Sequence, residues 1–350
     1  MRLSESAALV IGGGIAGIAS ALSLAESGVE VHILERDADI GGHGAKLCCK
    51  ATDTCHQCGA CIVADNIERV RSNSNVSVLT KTELATLSGR AGDFHATLVR
   101  RDNGEEIPLD VGAIIVATGF APFDARHKPQ LGYGSCVDVV TGLDLEQEIR
   151  LNGSVVRPSD GRHPSSIAFV QCVGSRDAHI GNDYCSRVCC KYALRMAGLL
   201  KSRISGLEVT IFYMDVQAGG KRFYDFYQCC RETMRFVRAI PVGIAQNSSR
   251  VVEVRYEDVV EGRLVREPFD LVVLSVGMVP ARDTARLASI LGIGVNGSGF
   301  LETPDSTDTN ETDVEGIFVA GTCQGPRDIE GSIAHAQAAS MRAVSFLGAP

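Results

Sequence analysis

The feature that most limits this chain lies at its start. Ala7–Ile11 is a short apolar run, and it opens onto Gly12-x-Gly14-x-x-Gly17. Ile15 to Ala25 then carries good helix formers with apolar residues at helical spacing, and Gly28 stops the helix. Val29–Leu34 (VEVHIL) reads as the next strand, closed by acidic Glu35. Strand, glycine turn, helix and strand make a βαβ unit, whose parallel strands require a right-handed crossover. The glycines permit a tight turn and let a pyrophosphate approach the backbone at the helix N-terminus, where Ile15 and Ala16 begin the first turn. Glu35 would accept from the adenosine ribose hydroxyls. A glycine fingerprint alone is weak evidence; with a strand before it and a helix after it, it specifies a dinucleotide site.

Three later elements decide between FAD and NAD. Gly41-Gly42, with Arg36 before it and His43 after it, resembles the second glycine pair of flavoprotein reductases, which packs along the FAD. Ala117-Thr118-Gly119 resembles their ATG turn, and Gly316–Gly321 (GIFVAG) resembles the late strand that delivers ribityl and pyrimidine contacts. Their order favours FAD. Many such proteins carry an Asp directly after the late glycine, whereas this chain has Thr322 and then Cys323. A Thr hydroxyl can still donate or accept. The last helix, expected from about Ser332 and Ile333 to Leu347, would aim its positive end at the flavin pyrimidine edge. His335 on it has two readings, a flavin neighbour and a satisfied core histidine.

Residues from about 76 to 119 alternate as an antiparallel meander does, with a turn at Asp102-Asn103-Gly104 and a closing strand over Gly112–Ala117. The stretch 120–164 reads as a connection. A second βαβ-like unit starts at Ser166–Val173, with a helix over about Ser186 to Ser202 and a strand over Glu208–Tyr213. The expected architecture is α/β and two-domain, with Rossmann-type three-layer ββα units. Residues 1–125 and 280–350 would form a discontinuous FAD domain that includes the cysteine-rich segment 48–61. Residues 160–279 would form the central domain, with 126–159 as the connection.

The net charge of −8 offers no basic face for nucleic acid. No apolar stretch approaches the roughly 18 residues of a membrane span, and the first strand begins too early for a signal peptide ahead of it. The expected compartment is therefore the cytoplasm. There, 13 cysteines are not a disulfide framework, and clustered cysteine points to metal or redox chemistry.

Two constellations stand out. Cys172 ends a strand, and Cys185, Cys189 and Cys190 are expected at the entry of the next helix, with Cys185 and Cys189 on one face. Four thiolates suit a [4Fe–4S] cluster; zinc also takes four, but adjacent cysteines are unusual for it. The turn after this strand reads QCVGSRD instead of a glycine fingerprint, which argues against a pyridine nucleotide there. The second constellation is Cys55-x2-Cys58-x2-Cys61, with Cys48 and Cys49 upstream. It has three readings: a second cluster with Cys48 or Cys49 as fourth ligand, a Cys55/Cys58 redox dithiol beside the flavin, and a structural role. Cys229 and Cys230 on a helix read as packing.

The stretches IGGGIAGIASALSLAESGVEVHILE, IGGHGAKL, TDTCHQC, VATGFAPFD, FVQCVGSRD, YCSRVCCKYALRMA, DLVVLSVGMVP and VAGTCQGPRDIEGSIAHAQAAS cover nearly the whole chain. In them the chain resembles the A-type subunit of heterodisulfide reductase, in a short form similar to its counterpart in the heterodisulfide-reductase-like complex of sulfur oxidisers. The resemblance implies a thioredoxin-reductase-like core with FAD and a [4Fe–4S] cluster on Cys172, Cys185, Cys189 and Cys190. It implies the other complex subunits as partners, a link to lipoate-binding proteins, and a homodimer. Two departures argue against an expectation of electron bifurcation: the extra ferredoxin-type domains of full-length archaeal members are not among these residues, and Arg195 stands where the bifurcating members have a flavin-approaching Lys. The function so implied is electron transfer between FAD, the cluster and a partner. Its rival is a stand-alone NAD(P)H-dependent disulfide reductase using Cys55 and Cys58.

Overall fold

β1 (Ala7–Ile11) is buried along its whole length, as a strand covered on both faces must be. It leads through Gly12 into α1 (Ile15–Glu26) and β2 (Glu30–Leu34). The structure, a computed structural model, describes residues 7–217, 219–220, 223–247, 251–305 and 307–348. After the cysteine-rich loop come α2 (Ala60–Arg71), β3 (Val76–Leu79), β4 (Thr82–Arg90), β5 (Asp93–Arg100), β6 (Glu106–Val111) and β7 (Ala113–Val116). β8 (Phe120–Pro122), β9 (Val139–Thr141), α3 (Gly142–Asn152), β10 (Ser166–Val173), α4 (Cys189–Arg203) and β11 (Glu208–Phe212) follow. Next are α5 (Phe223–Thr233), β12 (Arg235–Val237), β13 (Gly243–Gln246), β14 (Val252–Asp258), β15 (Arg263–Phe269) and β16 (Leu271–Val276). The last elements are β17 (Met278–Pro280), α6 (Thr284–Leu291), β18 (Ile317–Val319) and α7 (Ile329–Leu347).

The chain divides into two units. One comprises Met1–Lys46, Gly59–Ala121 and Val279–Pro350, the other Leu47–Cys58 and Pro122–Met278. In the first, a parallel sheet runs β18-β7-β1-β2-β3. Alternate residues face opposite ways. Ala8, Val10, Val31, Ile33 and Ile115 meet α1 and α7, while Leu9, Ile11, Ile114 and Val116 meet the antiparallel β4-β5-β6 layer and α6. This is the expected three-layer ββα arrangement. In the second unit, a parallel sheet runs β12-β11-β10-β16-β9, with a separate antiparallel β13-β14-β15 sheet. Ile167, Phe169, Val209, Ile211, Leu271 and Val273 bury one face of that parallel sheet against α3 and α4.

Several details depart from the sequence reading, each for a physical reason. Val76–Leu79 is not part of the meander: it pairs in parallel with β2, reached through α2, a helix the sequence reading did not assign. The α2 stripe of Val63, Ile67 and Val70 is broken by a buried Asn66, which hides the period. The stretch 126–159 is no mere connection, because β9 joins the central sheet beside β16 and α3 packs into that core. Residues 47–58 group with the second unit, held by a buried Lys50–Glu146 pair. α4 begins at Cys189, not Ser186, since Arg187 has φ 62° and no helix runs through a left-handed residue. Cys185 therefore lies in the loop and shares no helical face with Cys189. α7 begins earlier than expected, at Ile329, because Asp328 caps it by accepting the Gly331 N–H at 2.9 Å.

Candidate functional site

The glycine turn of the first unit is built around close approaches. A side chain on Gly17 would place its Cβ 1.8 Å from the Gly12 carbonyl oxygen, and one on Gly12 would meet the Ala117 carbonyl at 2.5 Å. Gly14 is different: a Cβ there meets no protein atom within 4 Å, so its face is open at the N-terminus of α1, where backbone N–H groups suit a phosphate. Glu35 is buried; its Oε2 accepts the Gly13 N–H and its Oε1 the Asp37 N–H, both at 2.8 Å. These bonds fix the carboxylate at the end of β2 and leave lone pairs for a ribose. Arg36 beside it pairs with Asp283 at 3.1 Å.

The second glycine pair lies against this turn, with the Gly41 N–H donating to the Gly13 carbonyl at 2.6 Å. Gly41 has φ 111° and Gly42 φ 54°, conformations that favour glycine. His43 stacks on Phe120 and its Nε2 donates to the Phe120 carbonyl at 3.1 Å; burial lowers its pKa, so the ring is neutral at pH 7. The Thr118 hydroxyl is buried with no hydrogen-bond partner among the described residues, a group that a bound ligand would satisfy. Thr322 sits opposite, its Oγ 3.8 Å from the place a Gly119 Cβ would take. An open glycine face, an orphaned hydroxyl and a fixed carboxylate fit a dinucleotide.

Ala16 and Gly321 approach closely, since a Gly321 Cβ would lie 2.4 Å from that of Ala16. Ser332 and Ile333 fall in the first two turns of α7, with the Ser332 N–H bonded to the Asp328 carbonyl at 2.8 Å. The Asp328 carboxylate already occupies this helix end and offsets its positive dipole.

His335 has the core role. Its Nδ1 accepts the Gly321 N–H at 2.9 Å and its Nε2 meets the Thr309 carbonyl at 2.9 Å. Burial lowers its pKa from 6.5 to about 4. Because the folded value is the lower one, its stabilising contribution is present above pH 6.5 and is lost as pH falls from there toward 4. Thermal unfolding midpoints measured between pH 7.5 and pH 5 should therefore fall in the wild type and fall less steeply in His335→Gln. Equal slopes would show that His335 titrates normally.

In the second unit, β10 shifts register between Val170 and Val173, and Cys172 in that bulge has φ 60°. Arg176 and Arg187 also have positive φ, 56° and 62°. Strained non-glycine backbone of this kind concentrates at functional sites. Cys172, Cys185, Cys189 and Cys190 all line one narrow cavity. Burial pushes the Cys172 thiol up to about 11, and the neighbouring Cys190 and Cys185 push it the same way. Burial raises Cys189 and Cys190 too. Four cysteine thiols lining one cavity suit a shared positive group, which would displace thiol protons on binding. The Arg187 N–H donates to Cys185 Sγ at 3.3 Å. Gln171, just before Cys172, is buried with neither amide atom bonded among the described residues. Within those same residues no three His, Cys, Asp or Glu side chains are drawn up around a single-ion point; a four-iron cubane spaces its sulfurs more widely than one ion does.

The Cys48–Cys61 constellation is divided: Cys61 is on α2 of the first unit, the rest in the loop of the second. Gln57 has φ 53° and its N–H donates to Cys55 Sγ at 3.4 Å, the same local device as at Cys185. Arg195 on α4 donates from Nη2 to the Gln57 carbonyl at 2.7 Å, between Cys55 and Cys58. Cys48 belongs to a buried network that the sequence reading missed. Lys50 and Glu146 are each 2% exposed and 2.5 Å apart, and Glu146 also accepts the Cys48 N–H at 2.6 Å and meets the Tyr192 hydroxyl at 2.7 Å. Cys229 is exposed and Cys230 buried on α5. Also missed were Arg176 and Asp215, which flank the four-cysteine cavity. Arg176 stood in the QCVGSRD turn in plain view, whereas Asp215 carries no local signal.

Comparison with known proteins bears on the family and the fold. The A-type subunit of the H2:CoB-CoM heterodisulfide, ferredoxin reductase of Methanothermobacter thermautotrophicus is 32% identical over 97% of this chain and 63% of its own length. The second A-type iron-sulfur subunit of the CoB–CoM heterodisulfide reductase of Methanopyrus kandleri is 33% identical over 98% of this chain and 64% of its own length. The chain thus spans slightly under two thirds of these relatives. Among solved structures, thioredoxin reductase of Lactococcus lactis matches with a TM-score of 0.65 at 19% identity, covering 98% of this chain and 99% of that one. Thioredoxin reductase of T. acidophilum matches at 0.59 and 16%, covering 98% of each chain. The two-domain thioredoxin-reductase-like fold expected from the sequence is therefore present. Among the described residues no helix is long and apolar enough to cross a membrane. Residues 6–343 match the pyridine nucleotide-disulphide oxidoreductase family, and the chain belongs to that family of flavin-dependent oxidoreductases.

Proposed function

We propose that this chain is the electron-transfer subunit of a heterodisulfide-reductase-like complex acting on sulfur or thiol compounds in the cytoplasm, with FAD in one unit and a [4Fe–4S] cluster in the other. One observation carries the reading: where a pyridine-nucleotide domain would have a glycine turn after its first strand, this chain has a bulged strand end and a cavity lined by four cysteines. Gly12, Gly14, Ile15, Ala16, Gly17, Glu35, Arg36, Gly41, Gly42 and His43 would hold the adenosine and pyrophosphate side of FAD. Ala117, Thr118, Gly119, Gly321, Thr322, Ser332 and Ile333 would hold its ribityl and ring side. Cys172, Cys185, Cys189 and Cys190 would ligate the cluster. When bound, FAD supplies the exchange between two-electron and one-electron chemistry; the protein fixes its position and field.

Arg195 is assigned to the cysteine loop, where it holds the Gln57 carbonyl and so orients Cys55 and Cys58. Those two, with Cys48 and Cys61, are a second cluster site or, as a pair, a dithiol. The relatives are named as subunits, which supports other subunits as partners. A lipoate-binding protein and a homodimer belong to the same proposal on resemblance alone.

The rival NAD(P)H-dependent disulfide reductase meets an obstacle. A Cβ on Gly174, in the turn after β10, would lie 2.0 Å from the Phe123 ring, so the ring packs directly on this turn, which carries no glycine fingerprint for a pyrophosphate to approach. Rapid mixing of the anaerobic full chain with NADH or NADPH should leave the flavin absorbance unchanged over the first seconds. Fast bleaching that Cys58→Ser abolishes would favour the rival.

A further inference from the structure

Two opposite charges stand at the wall of the four-cysteine cavity, and ligating iron requires neither. Arg176 follows Cys172 by four residues on a left-handed backbone, φ 56°, with its N–H bonded to the Tyr184 carbonyl at 2.9 Å. Asp215 comes from the loop after β11. The guanidinium grips its carboxylate through Nη1–Oδ1 and through Nη2–Oδ2 at 3.3 Å. Both residues line the same cavity as Cys172, Cys185, Cys189 and Cys190. Gln217 Nε2 donates to Asp215 Oδ2 at 3.1 Å, and the Asp215 carbonyl lies 4.0 Å from Cys190 Sγ.

A partly exposed ion pair contributes little to stability by itself, while a left-handed arginine is costly. Stability therefore does not account for the arrangement. Its placement does: a fixed cation and a fixed anion line the same cavity as the four cysteines, with the Asp215 backbone carbonyl 4.0 Å from Cys190 Sγ. An added electron at this cavity is a negative charge beside a low-dielectric wall, so a cation there favours reduction and an anion opposes it.

We propose that Arg176 and Asp215 are positioning residues that set the reduction potential of the group held in this cavity, Arg176 raising it and Asp215 lowering it. The inference rests on the four-cysteine iron–sulfur reading above. The test is a redox titration of the full chain, followed by electron paramagnetic resonance with iron and sulfide assayed in each sample. Arg176→Gln should lower the cluster midpoint so that the reduced-to-oxidised ratio at a fixed potential falls about tenfold, about 59 mV for one electron. Arg176→Lys should recover most of that shift. Asp215→Asn should move the midpoint the opposite way.

Opposite signs separate tuning from mere bracing of the loop, which would shift both variants alike or neither. If Arg176→Gln retains no iron, Asp215→Asn decides: a raised midpoint supports the inference and an unchanged one overturns it. Midpoints equal to wild type in iron-loaded variants overturn the inference alone. A wild-type chain without iron overturns the iron–sulfur reading, and the inference with it.

Discussion

Cys190→Ser is expected to strip the chain of the iron bound at the second unit while leaving its flavin in place. Cys190 is buried at the start of α4, on the cavity shared with Cys172, Cys185 and Cys189. Serine keeps the volume but is a poor iron ligand at neutral pH, and a cubane with three thiolates is readily lost. Iron per chain should drop by about four, measured after anaerobic purification. Flavin per chain should stay at the wild-type value, because the glycine turn that would hold it belongs to the other unit. Cys229→Ser on exposed α5 is the control, and iron should not change in it. Equal iron in Cys190→Ser and wild type would remove this cysteine from the ligand set.

The second large effect separates the fold from the ligand at two glycines three residues apart. Gly17→Ala would put its Cβ 1.8 Å from the Gly12 carbonyl, a backbone atom that cannot step aside. It should destabilise the first unit by about 3 kcal/mol or more, read as a lower unfolding midpoint. Gly14→Val meets open space on the protein side, so the protein should fold with a loss no larger than about 1 kcal/mol at this N-cap. The valine would nevertheless fill the face where the pyrophosphate is placed. Flavin affinity should fall at least about tenfold, roughly 1.4 kcal/mol. A Gly14→Val protein that keeps both its unfolding midpoint and its flavin would move the dinucleotide away from this turn.

Much of this was legible in the sequence because it is local. Ala7–Ile11, the glycine turn and the helix from Ile15 need only short-range pattern, and the structure has β1 and α1 at those places. The four cysteines were legible as a group because a strand end and a helix start bracket them. Local reading failed where backbone strain or tertiary pairing decides. Arg187 at φ 62° keeps α4 from starting before Cys189 and leaves Cys185 in the loop, and arginine gives no hint of such a backbone. Lys50 and Glu146 lie 96 residues apart, so neither announces the buried pair that ties the cysteine loop to α3. Val76–Leu79 alternates like a meander strand, yet its partner β2 is reached only through α2, whose stripe Asn66 interrupts.

His335 shows the same division between what sequence and structure can decide. One histidine on an amphipathic helix fits a flavin neighbour and a core residue equally well. The bonds to Gly321 and Thr309 settle it as the support of the Gly321 turn, which in turn fixes the face opposite Thr118.

One chain is proposed to carry both a flavin and a four-cysteine cluster. Iron, acid-labile sulfide and flavin measured together on the full chain, purified without oxygen, test it most directly. About one FAD with about four irons and four sulfides per chain is the expected result, rising to about eight of each if the Cys48–Cys61 set also loads. A chain with flavin but no iron or sulfide, or a colourless chain with neither, would contradict it.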